Sequence, residues 1–233
     1  MNAICSFASV LSLCLLWADS ALAQGLIHQL PPDGTSVRFQ VTITRKVPGG
    51  QAANQVAEVV VSSVGVTKAP DGDLRWIEIA LRLPEQTQLL KMAIAEKHFG
   101  KGQDPFAHIV RGWLKRGDAE AEQVEPERAR RAVAVFLVPH FNELTGEDSE
   151  TLDTKIGKLA CTIREGKATA TFDNTALEST GRFWLNSKAP LGWAQLELHR
   201  RAVRGGEVVR ESTSRFTIAE VGQRAVTQLP DRQ

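Results

Sequence analysis

The 233-residue chain carries 28 Lys+Arg against 27 Asp+Glu, so no global charge drives it toward nucleic acid or an anionic membrane. Apolar residues make up 42% of it, enough for a sizeable core, yet no run beyond the N-terminal segment approaches the roughly 20 apolar residues of a spanning helix. Cys5 and Cys14 fall in that N-terminal segment, which leaves Cys161 alone and excludes an intrachain disulfide framework in the remainder.

Residues 4–17 form an apolar run, followed by Asp19, Ser20 and then Ala21-Leu22-Ala23. A short apolar run ahead of a small-x-small triplet reads as a secretory signal, with cleavage after Ala23. Leu13 before Cys14 does not fit a lipoprotein acceptor cysteine, so a free mature protein is expected. The organisation that follows is a signal peptide over 1–23, one β-rich domain over 24–222 and a disordered tail over 223–233, with a periplasmic or secreted location.

Leu30-Pro31-Pro32-Asp33-Gly34 forms a turn, after which Val37, Phe39, Val41 and Ile43 alternate with polar residues as one face of a half-buried strand. Pro48-Gly49-Gly50 opens a loop, and residues 56–64 return as a second strand. Pro70-Asp71-Gly72-Asp73 turns into a third, in which Ile77, Ile79, Leu81 and Leu83 alternate with Glu78 and Arg82. Three strands joined by turns read as an antiparallel meander. Residues 86–99 fit either a strand or a helix by spacing, and the neighbouring strands favour a strand with a frayed end.

Asp104-Pro105 places a capping carboxylate ahead of a proline, and Phe106, Ile109, Val110 and Trp113 follow at helical spacing, which predicts a first helix ending near Gly117. Pro126 opens a second, with Ala129, Ala132, Val133, Phe136 and Leu137 inward and Pro139 beyond its end. Residues 142–154 are acidic and without periodicity, and are expected to be an exposed loop. Strands resume at 158–164, with Glu165-Gly166-Lys167 as a hairpin turn and 168–173 as the return. Two more strands flank the turn at Lys188-Ala189-Pro190-Leu191-Gly192, whose Trp193 is expected to be partly exposed, and Arg204-Gly205-Gly206-Glu207 turns into the last. The fold class is therefore mainly β (α+β): about nine or ten antiparallel strands in a strongly curved half-barrel sheet, with about two helices packed on its concave side.

No pair of the histidines has the spacing of a zinc site, and no Gly-x-Ser-x-Gly elbow or phosphate loop is present, so no catalytic residue, metal or cofactor is expected. Cys161 shares a strand face with Leu159 and Ile163 and reads as a small buried hydrophobe. The tryptophans read first as core members, and alternatively as the lining of a groove.

The stretch Trp184-Leu185-Asn186-Ser187-Lys188-Ala189-Pro190-Leu191-Gly192 resembles a recurrent motif of secreted bacterial proteins with a LolA-like half-barrel, the fold of lipoprotein carriers and their uncharacterised relatives. Residues 157–161 and 32–38 look like the same relatives, with Ala189 where Val is usual and Ser36 where an aromatic is common. The resemblance covers residues 155–220 with some specificity. It implies a curved antiparallel sheet closed by helices, and a cavity that holds acyl chains without catalysis. On this reading the chain is an exported envelope protein that binds a lipid or acylated protein through Phe39, Trp76, Met92, Phe106, Val110, Trp113 and Phe136. The alternatives are a structural or interaction module that meets another envelope protein, with the same residues filling a solid core, and an envelope hydrolase around His98, Asp104 and His108. No nucleic acid and no transmembrane segment are expected.

Overall fold

The computed structural model describes residues 25–46, 48–100, 103–141 and 143–229, the side chains of residues 135 and 136 excepted. The segment read as a signal, 1–23, lies outside the described residues. Eleven strands form one antiparallel sheet: β1 (Thr35–Lys46), β2 (Ala53–Thr67), β3 (Leu74–Arg82), β4 (Thr87–Ala95), β5 (Ile109–Arg116), β6 (Glu122–Val124), β7 (Leu144–Thr154), β8 (Gly157–Phe172), β9 (Thr175–Leu185), β10 (Trp193–Arg204) and β11 (Glu207–Gln223). One helix, α1 (Pro126–Phe136), lies between β6 and β7. The spatial order is β6-β5-β4-β3-β2-β1-β11-β10-β9-β8-β7, so two meanders meet where the first strand pairs with the last, and the sheet is not closed.

The inner face is built by the alternation visible in the sequence. Val37, Phe39 and Val41 of β1 join Val59 and Val61, Ile77 and Ile79, and Met92 and Ile94 in a continuous core that α1 caps with Ala129, Val133 and Leu137. At its centre the Phe39 and Trp193 rings stack, 4.2 Å apart and 16° from parallel, and Phe183 and Phe216 meet the indole edge-on. The indole Nε1 donates to the Leu26 carbonyl at 3.0 Å, so Trp193 is fully buried rather than partly exposed as its turn suggests. Burial with its one donor satisfied is the arrangement a large aromatic with a polar handle favours.

Among the described residues one α-helix is present where the sequence predicts two. Asp104 does cap the following turn, accepting from the Phe106 amide at 3.0 Å, but Pro105–His108 is one turn of 3-10 helix and residue 109 begins β5. The spacing of 106, 109, 110 and 113 matches a helical period, yet pairing with β4 along Gln88–Arg116 to Ile94–Ile109 overrides it and turns Trp113 to the outer face. Gly112 of β5 lets α1 sit directly on the sheet: a Cβ there would stand 3.1 Å from the Ala129 Cβ. At the other end of α1 the buried Arg200 guanidinium donates to the Ala134 carbonyl at 3.2 Å and to that of Leu137, satisfying carbonyls the helix leaves open.

Two further expectations are corrected. Residues 144–154 form edge strand β7 rather than a loop, paired on one side with β8 and carrying Glu147, Asp148, Glu150 and Asp153. An edge strand can be acidic and unpatterned, because charge there deters further pairing. Gly166 is not a turn residue but the middle of β8, opposite Gly181 of β9. The two glycines form a seat for Phe141, since a Cβ at Gly181 would lie 2.6 Å from the ring and one at Gly166 would lie 2.5 Å from Leu144 and 3.0 Å from Phe141. The real turn is Asp173-Asn174, with φ of 46° and 61°, the left-handed pair that a two-residue hairpin requires.

Of the segment 223–233 read as a disordered tail, residues 230–233 lie outside the described residues, while the chain turns at Arg224 (φ 64°) and residues 225–229 lie back on the outer face. Leu229 is buried there with Ala80, Leu89 and Trp113. One leucine, the Thr227 hydroxyl and main-chain contacts hold the segment, which leaves no periodic trace in the sequence.

Gly181→Val drives a side chain into the Phe141 seat and is expected to destabilise the fold by about 2 kcal/mol. Urea unfolding checks this through a lowered midpoint at unchanged slope.

Candidate functional site

A cleft of about 360 Å³ opens where α1, the segment after it and the β8–β9 ribbon diverge. Its apolar walls are Phe106, Val133 and Val138 on one side and Ala168, Ala170 and Leu177 on the other. The alanines follow from the alternation of β8, which puts small side chains toward α1 and leaves the space between them open. Asp104, Arg130, Arg131, His140 and Ser179 bring polar atoms to the same cleft.

Asp104 organises the polar rim. While one oxygen accepts the Phe106 amide, the other lies 3.4 Å from Arg130 of α1, and the His140 Nδ1 stands 3.7 Å from the carboxylate. That last separation is too long for a hydrogen bond, so Asp104 and His140 are electrostatic neighbours and not the bonded base-and-orienter pair of a nucleophilic hydrolase. Burial holds the His140 pKa below the usual histidine value, Asp104 pulls it upward and Arg130 presses it down. Behind it His28 is pushed down to about 3, first by burial and then by His140. The His28 ring leans on Phe183 at 5.1 Å, its Nε2 enclosed and without a hydrogen-bond partner among the described residues. Gly192, at φ 85°, passes so close that a Cβ there would be 2.6 Å from the His28 Cβ. Chemically, the site offers apolar walls and a rim that carries the Asp104–Arg130 ion pair and the His140 imidazole.

The seven residues read from the sequence as cavity lining divide among four places. Phe106 lines the cleft. Phe39 and Met92 are fully buried in the packed inner core. Trp76 and Trp113 lie together on the outer face, ring centres 5.5 Å apart, and Val110 is half exposed. Phe136 belongs to α1, but its side chain lies outside the described residues. The His98, Asp104 and His108 group also separates: the two imidazoles stack at 3.6 Å while Asp104 turns to Arg130 and His140. Sequence reasoning missed Ala168, Ala170, Leu177, Arg130 and His140. The inward stripe of α1 was the one signal pointing to this wall, whereas alanines on a strand carry none. Among the described residues no three His, Cys, Asp or Glu side chains come together as a metal site, and no helix is long and apolar enough to cross a membrane.

No protein-family model matches the sequence, and no curated protein does. Among solved structures the chain is similar to a predicted lipoprotein from Parabacteroides distasonis, at 9% identity and a TM-score of 0.37 over 84% of this chain and 99% of that one. It is also similar to a predicted exported protein with a YmcC-like fold from Bacteroides fragilis, at 11% identity and a TM-score of 0.34 over 87% and 100%. A LolA superfamily protein from Nitrosomonas europaea matches at 10% identity and a TM-score of 0.25 over 87% and 90%.

Both depressed histidines bind protons more readily in the unfolded chain. Their contribution to stability is therefore complete above the ordinary value of 6.5 and, for His28, is lost as the pH falls from there toward about 3. NMR titration is expected to find His140 below the usual range, lower still in Asp104→Asn and higher in Arg130→Gln. His28→Asn is expected to flatten this part of the acid limb in pH-dependent unfolding.

Proposed function

We propose that the chain is an exported, non-catalytic envelope protein that binds a hydrophobic ligand with a polar head, such as a lipid or an acylated protein. The observation that supports this most directly is the cleft: about 360 Å³, walled by Phe106, Val133, Val138, Ala168, Ala170 and Leu177, with polar groups gathered at one place. This is within the range of small-molecule sites and has their mixture of apolar wall and few polar groups. The signal-like first 23 residues and the carrier-like motif at 184–192 support the envelope assignment. At the centre of the inner face Phe39 stacks on Trp193, and Phe183 and Phe216 meet the indole edge-on, so large rings pack closely there. This packing supports a ligand on the α1 side of the sheet rather than across the whole concave face.

The test uses mature protein and a fluorescent fatty-acyl probe, with native mass spectrometry of protein purified from an exporting bacterial host. Saturable probe binding and a co-released lipid-sized mass are expected. Ala170→Trp fills the cleft and is expected to weaken the probe by about tenfold or more, a loss of roughly 1.4 kcal/mol. Val110→Ser, which alters an exposed position outside the cleft, leaves binding unchanged. Absence of saturable binding to the folded wild-type chain would exclude the carrier reading.

A further inference from the structure

The outer face of β3–β5 holds a feature that ligand binding on the inner face does not use. Glu78 of β3 and Lys91 of β4 stand directly opposite each other in register, on the side away from the core. Charged side chains on such a face are ordinarily solvated, yet these are 2% and 1% exposed. Residues 225–229 bury them. The Glu78 carboxylate accepts the main-chain amides of Gln228 at 3.0 Å and Leu229 at 3.2 Å, and the Thr227 hydroxyl at 2.8 Å. Lys91 donates to the Leu229 carbonyl at 3.2 Å, with its ammonium 5.2 Å from the Trp76 ring centre. The leucine side chain fills a socket of Ala80, Leu89 and Trp113.

This is the chemistry of a peptide-recognition groove. An acid reads successive N–H groups, a base reads the next carbonyl, and an apolar socket reads one side chain, so that main-chain direction and a hydroxyl-x-leucine pattern are both specified. The resident segment is held mainly at the groove itself. Between Arg224 and the groove it has one main-chain hydrogen bond, Ala225 to the Gly34 carbonyl at 2.7 Å, and Val226 is 79% exposed. Residues 225–229 lie outside the strand ladder, and a terminal segment of this kind opens at lower free energy than the core strands.

We propose that the Glu78–Lys91 groove is a docking site for an extended segment of another polypeptide carrying Thr or Ser two residues before Leu, and that residues 225–229 occupy it in cis as a displaceable competitor. The same groups that hold the tail hold the partner, and the two are mutually exclusive.

The experiment uses the full chain and a fluorescein-labelled, amidated peptide of residues 224–229, whose capped end adds no carboxylate beside Lys91. Leu229→Ser releases the tail and leaves the groove residues in place. In fluorescence polarisation the peptide is expected to bind the Leu229→Ser chain about tenfold or more tighter than wild type. Adding Glu78→Gln to that chain abolishes binding, and a peptide with serine for its leucine does not bind. Equal binding with and without Glu78→Gln, or no saturable binding to a Leu229→Ser chain that keeps its native circular dichroism, overturns the proposal. If Leu229→Ser does not fold, hydrogen exchange on the wild type decides: the Gln228 and Leu229 amides exchange faster than those of β3 and β4, and exchange only by global unfolding overturns it. A concentration-dependent wild-type dimer that Glu78→Gln dissolves assigns the groove to a second copy's tail and overturns the proposal in this form.

Discussion

The pairing of β1 with β11 is the contact on which the rest of the molecule depends. It runs from Thr35 opposite Gln223 to Lys46 opposite Glu211, joining the first strand to the last across nearly the whole domain. Without it the chain is two meanders, β1–β6 and β7–β11, each with bare edges and a half-covered face. With it, Phe39 of one meander comes to stack on Trp193 of the other. The seam is braced on the outside as well, where Arg38 pairs with Glu220 across it and with Glu58 of β2. Such a long-range pairing carries a large loop-closure cost and must be offset by what it buries. The aromatic cluster at the junction is where that burial is concentrated.

A second consequence concerns where empty space remains. Large rings fill the middle of the inner face, and a cleft opens toward β8 and β9, where the inward positions are Ala168 and Ala170 and the facing helix carries Ala134. Gly166 and Gly181 extend the same reduction in side-chain size along the ribbon, and there Phe141 occupies the vacated volume. Cleft and seat are thus two outcomes of one pattern. Small residues on adjacent strands admit either a side chain of this chain or something from outside.

This pattern explains what was legible in the sequence. Strands with strict alternation, such as Val37 to Ile43 and Ile77 to Leu81, read directly, as did the hairpin at Gly205-Gly206, whose φ values of 59° and 85° only glycine adopts easily. Strand β5 did not, because its apolar residues serve both faces and a bulge opposite Ala93 and Ile94 breaks the period. Strand β7 did not, because an edge needs no apolar face. The cleft was illegible for a different reason. Asp104, Arg130, His140 and Ser179 are far apart in sequence, and the residues that create the space are distinguished by being small. A search for binding residues among large apolar side chains selects those that pack most completely, and Phe39 and Met92 are fully buried in the core.

Strands β3 and β4 show how one sheet supports two surfaces of unlike character. Along β3, Ile77 and Ile79 point into the core while Glu78 and Ala80 point out, and along β4 Leu90 and Met92 alternate with Leu89 and Lys91 in the same way. Each outward charged group therefore sits between two inward anchors that fix its backbone. Glu78 and Lys91 are held at a set separation before anything binds, which lowers the ordering cost of gripping a main chain. The cleft is built otherwise, from a helix, a following segment and a ribbon that meet through small side chains. Its rim rests on one carboxylate shared among the Phe106 amide, Arg130 and His140. The outer groove thus draws its groups from two adjacent strands, whereas the cleft joins one ribbon of the sheet to a helix and the segment after it.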